Sequence, residues 1–425
     1  MHKDFDLNIK HVSKTEGHAD LEIKVKGGKV KYARLKILEH KRFYTQAMRG
    51  KPFASVPQLV SRICGTCSLA HLTCSTEAME KALGIQPSQQ TMLLRKLAMY
   101  GLMIRDHALH LYFFSMPDLL GVDSVLDLDS SKDELLKKAF AVKAAGNALS
   151  AVVAGRAIHP TFEQIGYFSN IPKKEDAKKL ATDLRAVRSN VLELIEMFYK
   201  SPFSYKRPSE FVALTTKDFS FLEGEICSTS GTRLSEEDYW DYLNRVIIPY
   251  SEATGFKFEG KEYMVGALAR MNLNREALHR DTKRDCQKAL SVFPSTDVFH
   301  NNLGQAIEIL HSIDHSLEIL GSAEFKAEQK PEVKMKEGKG VGVIEAPRGT
   351  LYHMVDLGKD GKVRYVNFII PTAHNQIKME SDIKALIPTI LKKSKHEIQH
   401  DVENLIRAYD PCMSCASHFL RIKWK

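Results

Sequence analysis

The 425-residue chain has no long uninterrupted apolar run. Its longest, Ala139 to Gly155, is broken by Lys143, Asn147 and Ser150, too short and too polar for a membrane helix of about 20 apolar residues. A cationic-then-apolar leader is also missing, since Met1-His2-Lys3-Asp4-Phe5 leads directly into mixed polar sequence. The cytoplasm is therefore the expected location, unless a partner's signal carries the folded protein across a membrane. Internal repeats, low-complexity tracts and evident linkers are absent. A disulfide framework is not expected either, because seven cysteines, an odd number, occur without a leader. The formal net charge of +9 does not point to nucleic acid. Lys and Arg are spread along the chain, and clusters such as Lys392-Lys393-Ser394-Lys395 carry no interleaved aromatics. Solvated lysine-rich faces account for the charge.

What is present is the composition of a soluble globular protein with a large core, 44% hydrophobic and 27% charged. Alternation over Leu21–Val25, then Gly27-Gly28 and a second run from Val30 to Leu38, predicts a β-hairpin. Apolar residues at helical spacing predict helices over about 88–112, 133–154, 174–200, 235–248, 298–321 and 380–408. Gly338–Arg348 and Lys362–Ile370 read as strands, with 325–340 an exposed connection. The expected fold is α+β and predominantly α. A central bundle of long helices is joined by a small N-terminal hairpin region and a strand- and loop-rich C-terminal part. One domain is expected over 1–425, with a β-rich segment at 5–45, a helical body at 60–330 and a C-terminal segment at 338–425 that completes the site.

Four cysteines form two C-x-x-C pairs, Cys64/Cys67 and Cys412/Cys415. That spacing lets two thiolates converge on one metal. A structural zinc knuckle draws its ligands from a compact segment, with about 15–20 residues between pairs. Here the pairs stand near opposite ends of the chain, so a shared site would be buried at the centre of a large fold. Spacing alone leaves zinc, an iron–sulfur cluster and a catalytic metal open. Cys74, Cys227 and Cys286 fit no pair and read as buried, inert thiols.

The flanking residues go further. Arg62-Ile63-Cys64-Gly65-Thr66-Cys67-Ser68-Leu69-Ala70-His71 and Asp410-Pro411-Cys412-Met413-Ser414-Cys415-Ala416-Ser417-His418 resemble the two signature motifs of [NiFe]-hydrogenase large (catalytic) subunits. Other segments agree in order: Thr15-Glu16-Gly17-His18 after Lys14, Asp106-His107, Gly155-Arg156 through His159-Pro160, and Glu345-Ala346-Pro347-Arg348-Gly349. Pro371-Thr372-Ala373-His374-Asn375 resembles P-T-x-W-N, with histidine for tryptophan. Glu39 through Arg42-Phe43 is similar to the E-x-x-R-F pattern of the cytosolic, bidirectional group.

The resemblance implies a nickel ion bound by Cys64, Cys67, Cys412 and Cys415. Cys67 and Cys415 would also hold an iron carrying CO and cyanide. It implies reversible heterolytic cleavage of H2, with Cys412 taking the first proton and Glu16 passing it on. A carboxylate suits such relay work. Arg348 would lie over the open face of the centre, held by Asp106 and Asp410, and His71 would donate to a bridging sulfur. His159 reads as a core histidine. The resemblance further implies a magnesium ion at His418. Thr45 stands where many members have a glutamate ligand for it, so Glu39 or water would substitute. Cleavage after His418 during maturation is also implied. No other cysteine cluster exists to hold an iron–sulfur cluster, so an iron–sulfur small subunit and further electron-transfer subunits are expected partners. Two other functions compete, a non-catalytic redox-complex subunit of this fold and a zinc-stabilised protein. The first would have lost the thiolates, and the second is disfavoured by the split between chain ends.

Overall fold

The computed structural model describes residues 4–39, 43–128 and 133–417. Outside the described residues lie Arg42 of the E-x-x-R-F pattern, His418, and the tail 419–425 on which the expected cleavage falls. The N-terminal sheet is antiparallel, β1 (Phe5–Ile9), β2 (Ala19–Lys26) and β3 (Lys29–Ile37) in that order. Its strands alternate buried apolar residues with partly exposed, mostly polar ones, as a sheet covered on one face requires.

The helical body follows. Helix α1 (Ser68–Leu83) is buried along almost its whole length, and α2 (Gln89–Ala108) is capped by Ser88, whose side chain accepts from the Thr91 amide. Helix α3 (Asp133–Ala154) packs along α2. Helix α4 (Lys174–Tyr199) turns Leu180, Leu184, Val187, Val191 and Leu194 inward and its charges outward. Helix α5 (Ala267–Asn274) and α6 (His300–Ser322) complete the bundle, with α6 lying against α2, α4 and α5. One hydrophobic cluster runs through all of these from Phe5 to Ala416. No helix among the described residues is long and apolar enough to cross a membrane.

Two expectations need correction. Residues 235–248 do not form a helix: a short helical turn at Tyr239–Tyr242 leads into strand β4 (Leu243–Ile247), which pairs with β5 (Thr254–Phe258). The apolar spacing there suited either element, and the β-branched run Val246-Ile247-Ile248 before Pro249 favours the strand. The span 380–408 is two helices, α7 (Pro371–Ile390) and α8 (Lys395–Ala408). Ser394 and Glu397 form a reciprocal capping box that starts the second.

The C-terminal sheet is again antiparallel: β6 (Gly338–Ala346), β7 (Gly349–Leu357) and β8 (Val363–Ile369). Strand β6 lies directly on α1. Its alternate glycines make this approach possible, since a Cβ at Gly340 would fall 2.0 Å from the Ala78 carbonyl oxygen and one at Gly342 2.3 Å from that of Cys74. The contact sets the helix that begins at Cys67 against the sheet whose first turn carries Arg348. Gly340→Ala is therefore expected to destabilise the protein by about 3 kcal/mol or more, measured as a lower denaturation midpoint. An unchanged midpoint would show that the helix and strand are not packed this closely.

Candidate metal centre

The two C-x-x-C pairs meet. Cys64 Sγ lies 3.5 Å from Cys412 Sγ and Cys67 Sγ 3.1 Å from Cys415 Sγ, across 348 residues of sequence in each case. One sulfur from each of the four falls within 4.8 Å of all the others, and all four residues are buried. Cys64 is extended, and Cys67 stands just before the first turn of α1. Asp410 takes a left-handed turn, with φ of +50°, that brings the second pair back toward the first. The Cys412 amide then donates to Thr372 Oγ1 at the start of α7, at 2.9 Å.

Burial, reinforced by hydrogen bonding among the sulfurs, holds the Cys412 thiol well above the usual thiol range. Cys64 is held well below it, because Cys412 and the other two thiols donate toward it. The pocket by itself thus favours one thiolate, and four require a cation. Soft sulfur donors closed off from water fit a late transition metal. Cys74, Cys227 and Cys286 are buried outside this group.

Glu16 reaches the cluster from the segment between β1 and β2. Its main chain forms an isolated parallel bridge with Cys412, and its carbonyl accepts from the Met413 amide at 2.8 Å. Its carboxylate accepts from Cys412 Sγ at 2.9 Å, from the Ser414 amide at 3.2 Å and from the Ser414 hydroxyl. A buried ionic hub anchors the same segment. Asp118 accepts a two-pronged pair from Arg407, at 2.6 and 2.9 Å, and a bond from Lys14 at 2.7 Å. Arg407 also donates to the Ser13 carbonyl at 3.3 Å.

Above the sulfurs, Arg348 donates to Asp106 at 2.7 Å and pairs with Asp410 at 3.1 Å, all three buried. His71 is buried, with Nε2 3.8 Å from Cys415 Sγ and Nδ1 3.1 Å from His353 Nε2. A cavity of about 10 Å³ remains between Cys67, Cys412, Cys415, Arg348, Pro347 and Leu351. His159 lies at the edge, half-buried, its amide bonded to Ser68 Oγ at 2.9 Å. Glu39 accepts from the His18 amide at 2.8 Å. Among the described residues, the four cysteines are the only group that could hold a metal ion. Thr45 lines a separate cavity with Arg245 and Phe256.

Sequence reasoning missed several contributors. Ser414 and Thr372 lay inside quoted motifs, and Arg105, which donates to the Thr66 carbonyl at 2.7 Å and so pins the first pair's turn, adjoined Asp106. His353 had no motif to mark it. The departure at His374 has a physical account. The ring is stacked at 28° on Tyr239 and packed near Phe256 and Tyr263, and burial pushes it down to about 3, a neutral ring in an aromatic nest.

The family model described as nickel-dependent hydrogenase matches residues 42–195 and 242–418. The chain belongs to the nickel-dependent hydrogenase family, as a large subunit. The hydrogenase is 32% identical to sulfhydrogenase 2 subunit alpha of Pyrococcus furiosus over 98% of this chain and 100% of that one. It is 25% identical to NAD-reducing hydrogenase HoxS subunit beta of Cupriavidus necator, over 97% and 95% of the two chains. Its fold is similar to that of an NAD+-reducing [NiFe]-hydrogenase crystallised in the H2-reduced state, with a TM-score of 0.86, 26% identity and coverage of 97% and 99%. The donor set fits the family's metal. Replacing Cys67 by alanine in the hydrogenase is expected to drop nickel from about one per chain to near zero. Cys227→Ala, outside the cluster, retains it, and elemental analysis checks both.

Proposed function

We propose that the chain is the catalytic subunit of a [NiFe] hydrogenase that cleaves and forms H2 reversibly, in the cytosolic, bidirectional manner. In this reading Cys64, Cys67, Cys412 and Cys415 would hold nickel, and Cys67 and Cys415 would also hold an iron carrying CO and cyanide. When bound, the two metals polarise H2 and take up its electrons. The observation that carries the reading is the placement of Glu16. A carboxylate in hydrogen-bond contact with a cysteine of the quartet is what proton export from that sulfur needs.

The roles of the side chains follow from their contacts. Cys412 takes the proton of the cleaved molecule on Sγ and hands it to Glu16 Oε2. The Ser414 amide and hydroxyl hold that carboxylate in place. Arg348 presents a fixed cation above the sulfurs, held by Asp106 and Asp410, where it orients H2. His71 supports Cys415 from behind. Together with the buried core around them, these residues exclude water.

Electrons leave through another chain. The three remaining cysteines are scattered, and the relatives' designations as subunits alpha and beta support a multi-subunit assembly. An iron–sulfur small subunit is the proposed partner, with further electron-transfer subunits beyond it. A cytoplasmic location and one large-subunit domain over the whole chain belong to the same reading. The proposed magnesium site, with His418 and Glu39 as ligands, has its main ligand outside the described residues.

The test is an infrared spectrum of the purified complex, in which bands in the CO and cyanide stretching region are expected alongside nickel and iron. Zinc alone with no such bands would overturn the reading. Glu16→Gln is expected to lower H2 oxidation by about 100-fold or more while leaving the metal content and the infrared bands unchanged, whereas Glu16→Asp keeps part of the activity.

A further inference from the structure

Behind Arg348 stands a second buried arginine to which nothing above gives a role. Arg270, on α5, is 1% exposed. Its guanidinium has five N–H groups, and the structure supplies five acceptors. Nε and Nη2 grip Glu308 of α6 in a two-pronged pair at 2.6 and 2.7 Å. Nη1 donates to Glu345 at 2.7 Å and to the Ala346 carbonyl at 3.1 Å, and Nη2 donates to the Pro347 carbonyl at 3.0 Å. Those two carbonyls belong to the residues immediately before Arg348. Helix α5 thus holds the turn between β6 and β7 by its main chain.

A second contact fixes the other side of that turn. Gly349 has φ of +129°, and a Cβ there would fall 2.4 Å from Val265 Cγ2 and 2.8 Å from the Gly266 amide nitrogen. Gly266 is the residue on which α5 begins, and its carbonyl accepts the Arg270 amide at 3.0 Å. The start of α5 therefore abuts Gly349 while its first full turn binds Ala346 and Pro347. Arg348 projects from between these two anchors. Helix α6 completes the frame from the far side: Glu308 also bonds His107 at 2.8 Å, next to Asp106, and Gln305, one turn earlier, donates to Asp410 at 2.8 Å.

We propose that Arg270 is a positioning residue for the hydrogenase reaction, clamping the Ala346–Pro347 main chain so that the Arg348 guanidinium stays between Asp106 and Asp410 over the sulfur cluster. This rests on the role proposed above for Arg348. Geometry is the reason such a clamp matters. An arginine side chain is long, and pairing with two carboxylates fixes the guanidinium only as well as the backbone beneath it is fixed. Misplacement by about 1 Å at a reacting centre costs up to about 100-fold in rate. A lysine at 270 offers three donors in place of five and cannot fork onto Glu308 and reach both carbonyls together.

The experiment uses the intact complex carrying Arg270→Lys, Arg348→Lys or both, with nickel content, kcat and KM for H2 measured per nickel, and a crystal structure of Arg270→Lys. The expected result is full nickel, a fall in kcat of between about 10- and 100-fold, KM within about twofold, and an Arg348 guanidinium displaced from Asp106. In the Arg348→Lys background the same change is expected to cost less than about twofold more. Equal losses in both backgrounds, or an undisplaced Arg348, would overturn the proposal. Glu308→Gln, which weakens the clamp while keeping its shape, undergoes the same measurements. Should both variants lose nickel, Arg270 is a fold residue only and the proposal fails. If Arg348→Lys leaves turnover intact, the reading of Arg348 fails instead, and the crystallographic displacement still decides the role of Arg270.

Discussion

Four sulfur atoms packed within 4.8 Å of one another inside a protein impose a demand that the rest of the molecule has to meet. Without a cation, burial favours the protonated form of most of them, whereas a soft cation would stabilise all four as thiolates. To assemble it, the fold must bring residues 348 positions apart into contact and hold them there. Each wall of the site can be traced to that demand. The first pair is fixed at the start of a helix buried along almost all its length. The second is fixed by a left-handed residue and by the Thr372 hydroxyl.

Charge is handled in the same economical way. Three buried arginines around the site are paired with carboxylates. Arg348 is matched by Asp106 and Asp410, Arg270 by Glu308 and Glu345, and Arg407 by Asp118. Removing one partner from any such pair leaves an uncompensated buried charge, which is costly. These pairs also join distant segments: α2 to the β6–β7 turn, α5 to α6, and α8 to Asp118, to which Lys14 ties the Glu16 segment. The electrostatic frame and the topological frame are therefore the same set of contacts, and the mobility of the reacting groups is restricted by both at once.

Much of the site was legible before any coordinates. The two cysteine pairs, Glu16, Asp106, Arg348, Asp410 and His71 were all named from short motifs, and the structure gathers them around one cluster. The long helices were legible as well, because amphipathic spacing such as that of Leu180 through Leu194 repeats over many turns. Short elements were not. Residues 243–247 carry apolar spacing that fits helix or strand, and pairing with residues 254–258 realises the strand that their β-branched residues favour. Arg270, Glu308 and His353 gave no sign either, since a lone charged or imidazole side chain on a helix or strand looks the same whether it is solvated or buried.

The amino-acid sequence by itself determined the donor chemistry: which sulfurs, which carboxylates and which guanidinium are available, and that no second cysteine cluster accompanies them. Tertiary structure alone decided which of these meet. It set Cys412 against Glu16, supported Arg348 from beneath through α5, and placed His353 behind His71. The reason is physical. Residue identity and local spacing are written in neighbouring positions, whereas contact between residues hundreds of positions apart arises from packing, where the glycines of β6 and the buried charge pairs set distances to within a fraction of an ångström.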